Sequence, residues 1–211
     1  MEQAKQGQRQ GQQDKGTRSR GLKLTDILVT IVIAVVFGII YKIWGPMYDV
    51  VKPLGTHAEQ TIYGMWFIAG TFAFLIIRKP GVALLAEIAA ASVSALLGSE
   101  WGLSTLYYGA LQGLGAELVF AIFLYRNANV WVTSLAALAA AAGSLVLDFG
   151  YGYIESLSAW NYTLLIGLRG LGSIVIAGIF AFGLSKALEL TGVTKVLRPA
   201  SKADYDALTR L

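Results

Sequence analysis

At 211 residues, 55% hydrophobic and 14% charged, with a mean hydropathy of +0.59, the chain carries too few charges for a soluble domain. Six membrane crossings of about 20 residues each, with short loops, nearly exhaust it, which excludes a soluble catalytic or nucleotide-binding domain. The formal charge of +4 lies mostly in the tails and alternate loops, where it meets anionic lipid or a cytoplasmic partner rather than nucleic acid; the absence of cysteine removes disulfides, thiolate metal sites and thiol nucleophiles.

Residues 1–23 are rich in Gln, Gly, Lys and Arg and have almost nothing to bury, which predicts a disordered cytoplasmic tail. The apolar run at 24–43 is too long and uninterrupted for a cleaved signal peptide and is read as span one. Span two covers 61–77 and ends at Arg78-Lys79-Pro80-Gly81, where proline and glycine break the helix and two cations hold it at the cytoplasmic face. Span three covers 82–98, and Gly98-Ser99-Glu100-Trp101-Gly102 turns outside. Span four extends to 124, Arg126-Asn127-Ala128-Asn129 turns inside, and span five covers 130–153. An outer loop at 155–162 leads into span six, which ends near 188 before a basic tail at 191–211. The transmembrane domain is therefore 24–190, an all-α bundle of six transmembrane helices in the cell membrane.

Charge sorts by loop parity. Cations gather before span one, at Arg78 and Lys79, at Arg126 and after span six, whereas the alternate loops carry Asp49, Glu59, Glu100 and Glu155 against Lys42 and Lys52. By the positive-inside rule both termini are cytoplasmic and the acidic loops face outward.

Small residues crowd spans three to six and permit close helix approach. Thr30, Ala34 and Gly38 form a stripe on span one, which serves either internal packing or the docking of another membrane protein. Four ionisable groups, Glu87, Glu117, Asp148 and Arg169, fall within the spans and are functional candidates because a charge in hydrocarbon is costly. At about 1.5 Å per residue, Asp148 and Arg169 share a depth near the outer surface and can form an ion pair. Glu87 and Glu117 share a depth nearer the cytoplasm with no cation beside them. Each must be protonated, hydrogen-bonded or answered by a cation from outside the chain.

Aromatics gather at the outer ends: Tyr63, Trp66, Trp101, Tyr107, Tyr108, Tyr151, Tyr153, Trp160 and Tyr162. Most suit an interfacial belt, but Trp66 lies deeper and, with Tyr63 and Trp101, can hold a flat ring. Aromatic faces beside carboxylates suit a small, flat, cationic solute. There is no phosphate-binding loop, so ATP hydrolysis would have to come from elsewhere. His57 stands alone, and no zinc-protease or nucleophile-elbow motif occurs, so neither an enzyme nor a metal or cofactor site is expected.

Three strings carry a family likeness. Ile62-Tyr63-Gly64-Met65-Trp66-Phe67-Ile68, then Ile77-Arg78-Lys79-Pro80-Gly81-Val82-Ala83-Leu84-Leu85-Ala86-Glu87, then Gln112-Gly113-Leu114-Gly115-Ala116-Glu117 resemble the YkoE-type S component of energy-coupling factor (ECF) transporters, the membrane-embedded substrate-binding subunits for thiamin and its hydroxymethylpyrimidine precursor. The resemblance implies six helices, capture of the vitamin from outside, and docking through small residues of the first helix, here Ala34 and Gly38, to a transmembrane coupling protein that carries two ATPase subunits. Thiamin, with an aminopyrimidine and a cationic thiazolium, matches an aromatic and carboxylate cavity. Glu117 is then the first candidate to bind the pyrimidine and Glu87 the second; Tyr63, Trp66 and Trp101 stack, and Gln112, Asp148, Tyr151 and Asn161 add polar contacts. The rival readings are a proton-coupled secondary carrier using Glu87 and Glu117 as its relay, and an assembly factor without a small ligand.

Overall fold

The structure, a computed structural model, describes residues 21–192 and 194. The expected tails at 1–23 and 191–211 lie almost wholly outside the described residues. Among the described residues every regular element is helical: α1 Leu24–Val51, a 3-10 turn Lys52–Leu54, a 3-10 helix Ala58–Phe67 running into α2 Ile68–Ile77, α3 Val82–Leu96, α4 Ser104–Ile122, α5 Val130–Gly150, then α6 Ala159–Ser173, a π-wound stretch Ile174–Phe180 and α7 Ala181–Leu190. α1 packs against α3, α3 against α4 and α4 against α5; the 3-10 helix lies on α6, and the π stretch on α5. The result is a multi-spanning membrane helix bundle whose outward faces carry large apolar side chains such as Ile31, Val32, Val146, Leu171 and Val175.

Four rods, Leu24–Leu54, Ala58–Ile77, Val130–Gly150 and Ala159–Leu190, are long and apolar enough to cross a membrane on length and composition alone. α3 is shorter, at 15 residues, and α4 is diluted by Gln112 and Glu117. Each turns one face outward, through Leu85 and Ile88 on α3 and Leu114 and Leu118 on α4, and buries its polar groups Glu87, Gln112 and Glu117 against neighbouring helices; the rod with every residue buried is α2.

Two boundaries differ from the sequence expectation. α1 does not stop near residue 43 but continues through Pro46 to Val51, carrying Tyr48 with it; proline costs the helix one backbone bond without ending it when tertiary contacts hold the rest. The second rod begins at Ala58 and is wound as a 3-10 helix for ten residues before becoming α-helical. Such a run is long for this geometry, in which residues three apart eclipse. Gln60, Tyr63 and Trp66 therefore stand in one column along the rod.

Close backbone approach explains the small residues. A β-carbon added at Gly115 would overlap the Ala139 carbonyl, and one at Gly143 the Leu111 carbonyl, so α4 and α5 touch at the main chain. The stripe on α1 is resolved in the same way, and the docking role expected for it is corrected. Ala34 is 1% exposed, and a β-carbon at Gly38 would lie 2.7 Å from the Ala90 carbonyl and 2.5 Å from the Val93 β-carbon. These residues seat α1 on α3; the face of α1 that looks outward is built from Leu28, Ile31, Val32, Val35, Val36 and Ile39.

The end of the bundle bearing the Arg78-Lys79 turn is tied by charge. Lys79 pairs with Asp26 of α1 at 2.5 Å, and Arg78 with Glu189 of α7 at 3.4 Å. Asp26 also accepts from the Lys23 backbone N–H at 2.6 Å, which caps the start of α1.

Candidate substrate cavity

At the opposite end of the bundle the helices splay around a cavity of about 320 Å³. Its wall is drawn from the C-terminal half of α1 (Tyr41, Tyr48), the 3-10 helix, the end of α3 (Ser94), the start of α4 (Tyr108, Gln112), the end of α5 (Asp148), the loop at 153–157 and α6 (Arg169). The volume is in the lower part of the range for sites that hold a small organic molecule.

The column on the 3-10 helix supplies the centre of this wall. Gln60 donates to Tyr48 and to Glu59 and accepts from Arg169 Nε at 2.8 Å, so one amide connects α1, the 3-10 helix and α6. The Arg169 guanidinium lies 3.8 Å from the Tyr63 ring centroid, a cation–π contact, and donates through Nη1 to Ser144 at 2.9 Å and to Asp148 at 2.6 Å. Asp148 also accepts from the Tyr108 hydroxyl at 2.5 Å. The pair that depth alone allowed is therefore present, and each member is held by further hydrogen bonds, as a buried ion pair requires.

Trp66 donates its indole N–H to the Tyr41 carbonyl at 3.2 Å, which fixes the ring. Tyr48, Tyr63 and Trp101 meet it at centroid distances of 4.9, 5.3 and 4.9 Å. The expected sandwich between Trp66 and Trp101 does not form: the rings meet edge to face at 83°, leaving no parallel slot of two stacking separations of about 3.5 Å each. They make a corner instead.

The wall also holds unanswered polarity. Gln112 is 1% exposed, and its Nε2 has no hydrogen-bond partner; Nε2 of His57 is likewise buried and without one. A buried donor without an acceptor costs about 1–3 kcal/mol, a cost that any hydrogen-bond acceptor placed beside Gln112 would remove.

Of the residues expected at the site, Tyr63, Trp66, Trp101, Gln112 and Asp148 come together on the cavity wall. Glu117, Glu87, Tyr151 and Asn161 do not, and their placement corrects the roles expected of them. Glu117 lies at the other end of the bundle and accepts from the backbone amides of Gly81, Ala83 and Leu84 at 2.6, 3.0 and 3.3 Å. These are the unpaired N–H groups at the start of α3, and a carboxylate from α4 satisfies them and the helix dipole together. Burial and the Glu117 carboxylate push the Tyr125 phenol, in the turn beyond α4, up to about 12. Glu87 lies behind the wall, accepting from the Gly70 amide at 2.9 Å and from the Tyr41 hydroxyl at 2.9 Å. Tyr151 is exposed beside Tyr108, and Asn161 sits in the first turn of α6, where its backbone N–H donates to the Ser158 hydroxyl.

Sequence reasoning missed Tyr48, Glu59 and Gln60 as wall residues and placed Arg169 only as a partner of Asp148. Tyr48 lies beyond Pro46, where the span was expected to have ended. Gln60 is three residues before Tyr63 and six before Trp66, a spacing that forms one column only in 3-10 geometry.

An all-helical bundle with an aromatic cavity open at one end, and no catalytic or nucleotide-binding constellation, has the form of a substrate-binding membrane subunit. The comparisons agree. Residues 25–143 match the family described as "ABC-type cobalt transport system, permease component". A Bacillus subtilis (strain 168) protein, YkoE, provisionally named an HMP/thiamine permease, is 33% identical over 172 residues, 81% of this chain and 86% of that one. A solved crystal structure of an S component of an ECF transporter superposes with a TM-score of 0.80 at 31% identity, covering 84% of this chain and 90% of that one. The chain belongs to the YkoE-type S components of ECF transporters. It is a multi-pass, non-catalytic transport subunit that works with the coupling protein and ATPase subunits of such a transporter.

Proposed function

We propose that this S component captures thiamin or its hydroxymethylpyrimidine precursor from outside the cell, with six membrane crossings and both termini in the cytoplasm. The cavity lies between helix ends at the side of the bundle whose connecting segments carry acidic residues, while the basic turns at Arg78-Lys79 and Arg126 lie at the other end; the positive-inside rule then opens it outward. The chemistry of the wall supports a flat organic ring over a bare metal ion. Seven Tyr and Trp side chains line it, and among the described residues no group of three or more His, Asp or Glu converges.

The observation that carries the reading is the buried, unpartnered Nε2 of Gln112 in a cavity whose wall also holds the aromatic corner. An aminopyrimidine presents ring nitrogens as acceptors and stacks on Tyr63, Trp66 or Trp101, with Tyr108 and the Asp148–Arg169 pair behind it. Calorimetry on the purified subunit tests this. Wild-type protein should bind thiamin or hydroxymethylpyrimidine, and Gln112→Leu should weaken binding by about 1 kcal/mol, roughly fivefold, with the melting temperature held or raised. Unchanged affinity in Gln112→Leu removes Gln112 from the site. Neither Glu87 nor Glu117 reaches the wall, so nothing in the geometry favours the proton-coupled carrier.

A further inference from the structure

We propose that Glu59 is the fixed counter-charge of the cavity, the residue that makes it prefer a ligand with a positively charged ring over a neutral ligand of the same shape. This rests on the reading of the cavity as the substrate site.

The Asp, Glu, Lys and Arg side chains on the wall, among the described residues, are Glu59, Asp148 and Arg169, and His57 lines it as well. Asp148 and Arg169 cancel one another at 2.6 Å, and the other hydrogen bonds of Arg169 go to the neutral Gln60 and Ser144. Glu59 is left over. It is 9% exposed, accepts only from the neutral Gln60 amide at 3.0 Å, and takes part in no ion pair among the described residues. The lysine or arginine nearest in sequence, Lys52, is spent on Asp49 and on the Tyr48 ring, and His57, two residues away, makes no ion pair with Glu59. Glu59 is in the first turn of the 3-10 helix, yet no backbone amide donates to its carboxylate.

A carboxylate withdrawn from water needs a compensating charge or several donors, and this one has a single neutral donor. The wall therefore carries one unanswered negative charge beside a cluster of aromatic rings. A delocalised ring cation meets both at once, as counter-ion to Glu59 and as cation–π partner to Tyr48 or Trp66. A neutral ring gains the stacking alone. The competing role for Glu59 is to hold Gln60, and through it Arg169; that role is blind to ligand charge.

Calorimetry on the full-length purified subunit separates the two, using thiamin and its neutral isostere in which a thiophene replaces the thiazolium. Wild-type protein should bind thiamin at least about tenfold more tightly than the isostere, the lower end for a charged hydrogen bond. Glu59→Gln, which keeps the shape and an acceptor for Gln60, should erase that preference by weakening thiamin alone; Glu59→Ala is the second variant should the first not fold. Equal loss for both compounds assigns Glu59 to positioning Gln60 and overturns the inference, as does a preference that survives the substitution. Equal binding by the wild type overturns it without any variant. If neither compound binds the wild type, the substrate reading itself falls.

Discussion

Gly81, Ala83 and Leu84 each direct a backbone N–H at the carboxylate of Glu117, and Tyr41 donates a hydroxyl hydrogen bond to Glu87 while accepting from the Ala69 amide at 2.9 Å. Both glutamates are buried without a cation because backbone and phenol donors satisfy them, and neither needs a ligand. Glu117→Ala should accordingly cost stability rather than affinity: about 2 kcal/mol from the lost cap, read as a lower melting temperature in detergent, with ligand binding retained by the folded fraction. A loss of affinity at unchanged stability would return Glu117 to the binding site. Arg169 is the opposite case, a residue of both the wall and the framework. Arg169→Met strands Asp148 and should cost about 3–5 kcal/mol, whereas the double variant Asp148→Asn, Arg169→Met should recover much of that, since replacing both partners leaves no unpaired charge. Thermal unfolding of the two variants side by side checks the difference.

At the scale of elements, the glycines act through the helices they allow to meet. Gly38→Val forces a branched side chain into the Ala90 carbonyl and Val93 of α3, so stability should fall by about 1–3 kcal/mol, and ligand binding and uptake should fall together because α1 also carries Tyr41 and Tyr48 to the cavity. Retained binding with lost uptake would show instead that the Gly38 face meets the coupling protein. The 3-10 helix is the other decisive element. Had residues 58–67 been α-helical, successive members of the Gln60, Tyr63, Trp66 series would each have turned by about 60°, and they would not have shared a wall. Its winding is held by contact: a β-carbon at Gly64 would lie 2.9 Å from the Gly172 carbonyl and the Ser173 α-carbon of α6.

For the whole molecule, orientation is the testable property. The chain has no cysteine, so single cysteines report cleanly. One at Ser156, exposed in the loop by the cavity, should react with an impermeant thiol reagent added to intact cells, and one at Asn127, exposed in the turn after α4, should not; the reverse pattern would invert the topology.

Composition and charge order by themselves determined the class: apolar runs of spanning length leave helices as the only way to satisfy the backbone in lipid, and the loop cations point to an orientation. The aromatic set Tyr63, Trp66 and Trp101 and the polar pair Gln112 and Asp148, which line the cavity, were legible as candidates because a deep aromatic or an uncommon polar group in an apolar helix stands out in sequence. What only the tertiary structure decided was partnership. Spacing shows that Glu87 and Glu117 share a depth, but not that one faces the Tyr41 hydroxyl and the other a helix end from a different part of the chain. It shows a stripe at Ala34 and Gly38, but not whether lipid, a partner or α3 lies against it. Nor does local sequence announce a ten-residue 3-10 helix, since that winding pays its poorer hydrogen bonds only through contacts with α6 that lie about a hundred residues away along the chain.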